Sequence, residues 1–276
     1  MSGQKPSDGI ERIGRRGAPT DAEKALIQTS IHSLDQKLGL ELAVRKGIPQ
    51  GSLILVYYPS ETTMPTLFIQ RILLNWAKNM ENNMVFYVHS TKPLELVLRS
   101  FESYNWKYEE YKGKNLIFEN MYDMTSTFST STKLSRIEVR RRTYIKKIIE
   151  KMYYVKENQR KRCFSVFDDL LWMVEDRLDG DHNALILFLK EIIELFTKIG
   201  GVHFFLLPQN ILDPIAERII MNAVHGIFYF SREKMGGKIR ENFTITKLTG
   251  VPHVSEILEL TPSETEGFKI ESTGKV

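Results

Sequence analysis

Short apolar runs alternate with amphipathic helical segments along most of this chain, and this alternation restricts its fold more than any other feature. The run 51–58 (GSLILVYY) is typical of a buried strand, and residues 65–78 place their apolar side chains on one helical face. Further strands are predicted at 84–89, 115–118, 163–167 and 202–207, and a helix is predicted at 211–222. Strands that alternate with helices favour a parallel sheet covered by helices on both faces.

The last third of the chain has a different pattern. Four short strands follow one another there without helices between them, at 226–230, 242–248, 256–260 and 267–270. Such a run predicts an antiparallel extension of the sheet. The expected fold class is therefore α/β, with a mostly parallel sheet flanked by helices and an antiparallel C-terminal extension.

Polar, aperiodic ends enclose one predicted domain. Residues 1–20 indicate a flexible N-terminal tail, and a short helix is predicted at 22–28. We expect a single domain over residues 21–272 and a short tail at 273–276. With 276 residues, of which 42% are apolar, the chain can bury one large core.

The composition excludes several classes of protein. The longest uncharged stretches, 47–60 and 199–212, are shorter than the ~20 apolar residues that a membrane helix needs. The N-terminal residues also lack the apolar core of a signal peptide. The single cysteine, Cys163, excludes a disulfide framework and a cysteine zinc site, and it favours a reducing cytosol. We therefore expect a cytoplasmic protein with no membrane partner.

Several segments follow one another in the order and spacing of a known family. They are 29–39 (TSIHSLDQKLG) before the first buried strand, 47–53 (GIPQGSL) leading into it, and 247–250 (KLTG) followed by His253. Together they resemble the KaiC-like branch of the RecA ATPase superfamily over roughly residues 29–272. The resemblance implies a RecA-like fold and an archaeal or bacterial cytoplasmic protein, and sheets of this kind bind ligands at the carboxyl ends of their strands.

At the first strand–helix turn this chain departs from the family pattern. A phosphate-binding loop needs glycines so that backbone N–H groups can surround the phosphates, a lysine to neutralise charge, and a hydroxyl for Mg²⁺. The ungapped frame places Tyr58 and Thr63 at the two glycines, Met64 at the lysine and Pro65 at the hydroxyl. Since all four positions are changed together, we expect neither tight Mg·ATP binding nor a cofactor.

The residue types of the same turn predict that its own side chains fill the nucleotide-binding space. We expect Tyr57, Tyr58 or Met64 to occupy the space that a nucleotide would fill, because an aromatic or apolar side chain there maintains packing density. Glu61 adds a negative charge beside any polyphosphate. An unconventional phosphate loop remains the alternative.

The resemblance implies roles for four more positions. Thr91 and Lys92 stand where the family has adjacent acidic residues, and neither can act as the carboxylate base that activates water. Lys247 stands at the basic residue that such proteins direct to a neighbour's nucleotide, while Thr249 replaces the companion basic residue. These changes also weaken the expectation of catalysis.

Asp168 stands at the family's Mg²⁺-associated acid. Without a phosphate loop it has little to coordinate, and we predict that Asp168 and Asp169 cap a helix beginning near Leu170. A Ser–His–Asp grouping of Ser90, His89 and Asp168 can also be drawn. A hydrogen-bonded structural histidine is the favoured interpretation, because geometry and not composition defines a triad.

One segment carries the basic character of the chain. Residues 133–162 contain twelve Lys or Arg and three Glu, although the whole chain has a net charge of only +4. The candidate binding residues on the predicted helix are Arg140, Arg141, Arg142, Lys146, Lys147 and Lys151, with Tyr144, Tyr153 and Tyr154 among them. Two interpretations stay open: a nucleic-acid surface with stacking tyrosines, or a solvated face that contacts an acidic protein.

These patterns predict a non-catalytic RecA/KaiC-like protein, a pseudo-ATPase that acts as a binding or regulatory subunit. The expected partners are KaiC-like or RecA-like subunits in a homo- or hetero-oligomer, or nucleic acid. The alternatives are a RecA-like ATPase that binds ATP through an unconventional loop and a DNA-binding RecA paralogue.

Replacing Arg140, Arg141 and Arg142 by alanine separates the two interpretations of the basic segment. If it binds DNA, affinity falls about a thousandfold between roughly 50 and 200 mM salt because counterions are released from the phosphates. The triple variant then binds all sequences more weakly. Fluorescence anisotropy with labelled single- and double-stranded DNA measures both effects. Identical weak curves for the two proteins would exclude the nucleic-acid interpretation.

Overall fold

The computed structural model describes residues 26–37, 47–122, 134–174, 182–251, 253, 255–264 and 266–272, with the backbone alone at 37, 134–142 and 272. The strands are β1 (Leu26–Ile27), β2 (Ile48–Pro49), β3 (Ser52–Tyr58), β4 (Asn83–His89), β5 (Leu116–Asn120), β6 (Arg162–Phe167), β7 (Val202–Pro208), β8 (Gly226–Met235), β9 (Lys238–Leu248), β10 (Leu258–Ser263) and β11 (Gly267–Ser272). The helices are α1 (His32–Lys37), α2 (Met64–Ala77), α3 (Leu94–Ser103), α4 (Leu134–Gln159), α5 (Leu171–Val174), α6 (His182–Ile199) and α7 (Pro214–Ala223). The predicted tails, 1–20 and 273–276, lie outside these residues.

One mixed sheet organises the described part of the chain. Its nine strands have the order β11-β10-β9-β8-β3-β7-β6-β4-β5. The strands from β8 to β5 in this order run parallel, and β9, β10 and β11 continue the sheet antiparallel. This architecture is consistent with a RecA-like fold and confirms the predicted α/β class with its antiparallel C-terminal extension.

Apolar side chains cover both faces of the sheet. Ile54 and Val56 of β3 pack with α2 and α3, whereas Leu53 and Leu55 pack with α4, α6 and α7. Successive strand residues point to opposite faces, so a strand buried on both sides is apolar throughout. Among the described helices, none is long and apolar enough to cross a membrane.

Two predicted boundaries need correction. Within the described part of the predicted helix at 22–28, Leu26 and Ile27 instead form β1, because they pair with β2 and Ile27 is buried against the core. The helix predicted from residue 211 begins at Pro214. The Asp213 carboxylate caps it by accepting hydrogen bonds from the N–H groups of Ile215 and Ala216 at 2.9 and 3.0 Å.

The outer parts of β8 and β9 form a feature that the sequence did not predict. Both strands run further than expected and pair with each other up to the turn at Gly236 and Gly237. Residues 231–241, called the ribbon below, are mostly polar and exposed. Their apolar content is too low to mark a strand, so the cross-strand pairing alone reveals them.

Gly201→Ala and Gly113→Ala form a matched test of the packing between β6 and β7. Both glycines have a left-handed φ, +73° at Gly201 and +75° at Gly113. A Cβ atom added at Gly201 would lie 1.8 Å from the Cys163 carbonyl oxygen. A Cβ atom added at Gly113 would have no described heavy atom within 4 Å. Gly113→Ala should lose roughly 1–2 kcal/mol of unfolding free energy, and Gly201→Ala about twice that or more. Urea unfolding measures both, and equal losses would contradict the described contact.

Candidate functional site

The turn between β3 and α2, residues 58–66, uses its own atoms as hydrogen-bond partners. The Thr62 N–H donates to the Pro59 carbonyl at 3.4 Å, and the Met64 N–H donates to Oγ1 of Thr62 at 3.1 Å. In a phosphate loop such N–H groups point at the ligand. Two of the donors that would be needed are therefore engaged within the turn.

The backbone of this turn has no left-handed residue. All of 58–66 is described, and none of these residues has a positive φ; Thr63, at a position where the family has glycine, has φ −99° and ψ −7°. One kind of concave anion-binding nest is formed by successive residues of right- and left-handed conformation. The turn has ordinary L-residue geometry and forms no such nest.

Apolar and aromatic side chains pack at the start of α2. Met64 is only 7% exposed and Pro65 is buried. Burial raises the pKa of the half-buried Tyr58 phenol, and the nearby carboxylates of Asp169 and Asp168 raise it further, so the ring is neutral. Tyr57 instead faces the opposite side of the sheet.

The Tyr57 hydroxyl reaches α7. It donates to Oε2 of the buried Glu217 at 2.6 Å, and burial together with this contact raises the pKa of Tyr57 to about 12. The two residues are 160 positions apart. The sequence carries no local signal for such a pair, since Glu217 is an ordinary first-turn acid of a helix.

The ribbon braces the turn from the other side. Nη1 of Arg232 donates to the Glu61 carbonyl at 3.3 Å, and Nε of Arg232 forms an ion pair with Glu241 at 3.1 Å. Arg232 therefore links the ribbon to the backbone of the turn. This contact, too, was not predicted.

Asp168 follows β6 and is satisfied by the residues that follow β4. Its Oδ1 accepts from the N–H and the hydroxyl of Ser90 at 2.8 and 2.7 Å, and its Oδ2 accepts from the Thr91 hydroxyl at 3.2 Å. Burial raises the pKa of this carboxyl, and the hydrogen bonds from Ser90 and Thr91 oppose the shift. The prediction that Asp168 caps a helix is wrong, because its neighbour fills that role. Oδ1 of Asp169 accepts from the Leu171 N–H at 2.8 Å at the start of α5.

His89 does not complete a Ser–His–Asp relay. Its Nδ1 lies 3.0 Å from the Lys92 carbonyl oxygen, which can only accept, so Nδ1 carries the proton. Nε2 is buried and has no hydrogen-bond partner among the described residues. The Ser90 hydroxyl donates to Asp168 instead. The side chain of Lys92 is exposed.

Lys247 is engaged within the chain. Its Nζ donates to the carbonyls of Met221 and Asn222 at 3.0 and 2.8 Å, at the end of α7. A cation there interacts favourably with the negative end of the helix dipole. Burial lowers the pKa of Lys247. In this structure the ammonium group of Lys247 therefore binds the end of α7.

The candidate basic residues lie on α4. Arg140, Arg141 and Arg142 belong to this helix, but their side chains lie outside the described part of the structure. Lys147 is exposed, and Lys146 is 3.8 Å from Glu150. The remaining basic residue of the set, Lys151, contacts β5.

Glu119 of β5 takes up part of the basic face. Lys151 Nζ lies 2.5 Å from its Oε1, and the Tyr144 hydroxyl donates to its Oε2 at 3.3 Å. Burial and this carboxylate raise the pKa of Tyr144 to about 12. Tyr153 and Tyr154 are 47% and 60% exposed and remain accessible for stacking.

Neither a metal-binding cluster nor a related protein identifies a ligand for this site. Within the described ranges, no group of three or more His, Cys, Asp or Glu residues is arranged to hold a metal ion. No protein-family model matches the chain, and no curated protein matches it. The site is therefore interpreted from its own geometry.

Asp168→Asn tests the buried carboxyl. Asparagine keeps the Oδ1 acceptor for Ser90 but removes the charge. Burial raises the pKa of Asp168 in the folded protein above its value in the unfolded chain. As pH rises between these two pKa values, the unfolded chain loses its proton first, so the free energy of unfolding of the wild type should fall relative to that of the variant. Chemical unfolding of both proteins between about pH 4 and 7 measures this difference.

Asp213→Asn is a control for which the change of stability with pH should have the opposite sign. Hydrogen bonding from the Ala216 N–H lowers the pKa of Asp213, so the wild-type carboxylate should gain stability relative to this variant as pH rises. A difference for Asp168→Asn that is independent of pH, or one of the same sign as for Asp213→Asn, would contradict the assignment.

Proposed function

We propose that this chain is a non-catalytic RecA/KaiC-like protein, a pseudo-ATPase that acts as a binding or regulatory subunit. The observation that carries the proposal is the turn at 58–66. It has no positive φ, and the N–H groups of Thr62 and Met64 bond within it. Phosphate affinity depends on such donors being free and convergent. A turn of this geometry favours packing over anion binding.

The neighbouring polar residues support the same proposal. Asp168 is 8% exposed and accepts three hydrogen bonds from Ser90 and Thr91, which leaves little capacity for a hydrated Mg²⁺. Thr91 and Lys92 supply no carboxylate base. Asp168, Ser90 and Thr91 therefore satisfy one another at this edge.

The proposed partners follow from the resemblance to the KaiC-like branch. A subunit without its own nucleotide can still present a face to a neighbour, so we propose assembly with copies of itself or with other RecA-like or KaiC-like subunits in the cytoplasm. Nucleic acid is the second class of partner, favoured by the exposed Tyr153 and Tyr154 beside Lys147.

Titration with Mg·ATP tests the proposal. We expect no saturable heat by calorimetry at millimolar ATP, no hydrolysis, and no thermal stabilisation of the protein. A ligand present at a hundredfold its dissociation constant would stabilise the folded state by about 2.7 kcal/mol, so binding would be visible in both measurements. Micromolar affinity, or turnover that disappears in Asp168→Ala, would overturn the proposal.

Glu61→Gln distinguishes an unconventional phosphate loop at this turn from a turn that binds no nucleotide. Only the backbone carbonyl of Glu61 contacts Arg232, and its side chain is exposed. If polyphosphate bound at this turn, removal of the carboxylate charge would tighten binding. The proposed function predicts that wild type and Glu61→Gln give the same absence of binding.

A further inference from the structure

The two ends of the nine-stranded sheet differ in how far the chain covers them. β5 and β11 are its terminal strands, and each pairs with one neighbour. At β5 the chain folds back on the edge: the Leu116 N–H donates to the Tyr111 carbonyl, and the Leu116 carbonyl accepts from the Gly113 N–H, both at 3.0 Å. Among the described residues, the backbone of β11 forms no such bond outside the sheet. β11 is therefore the more open edge, and an open edge is a template for a further strand.

The alternation of hydrogen bonds across the sheet determines which residues of β11 point outward. Lys238 closes the two-residue turn of the ribbon and so bonds to β8, and alternate residues of an antiparallel strand bond to the same neighbour. The N–H and C=O groups of Glu241 therefore face β10, where its partner is Leu260. The next residue, Thr261, faces β11, and its partner Lys269 directs both backbone groups back to β10.

The residues that alternate with Lys269 consequently present their N–H and C=O groups at the free edge. They are Phe268, Ile270 and Ser272. Pro262 supports this assignment independently, because it has no N–H and lies opposite Phe268, in a pair that the alternation leaves without hydrogen bonds. A recess of about 300 Å³ lies between β11 and the start of α1, so α1 leaves part of this edge accessible.

The exposed side chains of β11 carry opposite charges two residues apart. Lys269 and Glu271 are exposed and lie on the face of the sheet opposite to Phe268. Glu271 is directly across from Glu259 of β10, and like charges in that arrangement are unfavourable. Glu259 is 3.6 Å from Arg240, whereas neither Lys269 nor Glu271 has an ion-pair partner within the described part of the chain. A cation on the outer side of Glu271 would therefore be stabilising.

We propose that β11 pairs antiparallel with β11 of a second copy, about a two-fold axis at Ile270. The outward residues are symmetric about this axis, so Phe268 of each copy meets Ser272 of the other, and Ile270 meets its own copy. Each of these three pairs exchanges two N–H···O bonds. A two-fold contact is self-complementary, so one strand supplies both halves. The contact joins the two sheets edge to edge.

Charge selects this register over its neighbours. The hydrogen-bond alternation also permits an axis at Lys269 or at Glu271, but each of these places a charged residue opposite its own copy, which is unfavourable. With the axis at Ile270, Lys269 of each copy lies opposite Glu271 of the other. Both Glu271 carboxylates then gain a cation that their own chain does not supply.

The contact gives a surface to the homo-oligomer within the proposed function, and to that extent it rests on that function. The edge of β11 does not depend on whether the turn at 58–66 binds nucleotide. The ATP titration has a separate readout, so a failure there is recognised independently of the oligomeric state.

Charge exchange tests the pairing by sedimentation velocity from about 1 to 200 μM protein, because we expect micromolar affinity from a short interface. Wild type should dimerise. Lys269→Glu or Glu271→Lys alone should weaken dimerisation about tenfold, since each places like charges at both cross-strand pairs. Lys269→Glu combined with Glu271→Lys exchanges the two charges and should restore the dimer. Lys190→Glu reverses an exposed lysine elsewhere and should have no effect.

Proline at the axis tests the backbone bonds without a change of charge. The Ile270 N–H points away from β10, so Ile270→Pro keeps the hydrogen bonds between β10 and β11, and an edge strand tolerates proline in that position. We expect a folded monomer. Lys269→Pro removes an N–H that bonds to β10 and should lower the unfolding free energy in urea as well. Monomeric wild type at the highest concentration, a dimer that survives Ile270→Pro, or a charge exchange that restores nothing would overturn the proposal.

Discussion

Phe68 packs against four phenylalanine rings of β8, β9 and β11, and this contact positions the elements around the candidate site. Its ring centroid lies 4.9–6.3 Å from those of Phe228, Phe230, Phe243 and Phe268. Phe68 belongs to the first turns of α2, so the cluster holds the start of this helix against β8, β9 and β11. The turn at 58–66 and the base of the ribbon are consequently fixed relative to each other.

The carboxyl edge of the sheet is closed by reciprocal satisfaction of polar groups. Asp168 accepts from Ser90 and Thr91, and Tyr57 donates to Glu217. Each bond joins two different strands or a strand to a helix, so it ties the ends of the elements together. Buried polar groups are costly unless they are paired. The Asp168 carboxylate and the Tyr57 hydroxyl are therefore paired within the chain, whereas Nε2 of His89 and Oε1 of Glu217 are buried without a described partner. The pairing of Asp168 is the part of this edge that supports the proposed non-catalytic role.

Local patterns predicted the elements but not their long-range partners. The apolar run of β3 and the helical face of α2 are properties of adjacent residues, and they were predicted within a residue of their bounds. Asp169 capped a helix as expected from its position. Asp168 could not be assigned, because its partner Ser90 lies 78 positions away. Lys247 likewise meets α7 only in the folded chain.

The bond between Arg232 and the Glu61 carbonyl gives the ribbon a mechanical role. Arg232 lies three residues from the tip, and its guanidinium holds the backbone of the turn at a distance of 3.3 Å. A paired two-stranded ribbon bends less readily than a single loop, so a displacement of Met235 would move Arg232 with it and would stretch the bond to the Glu61 carbonyl.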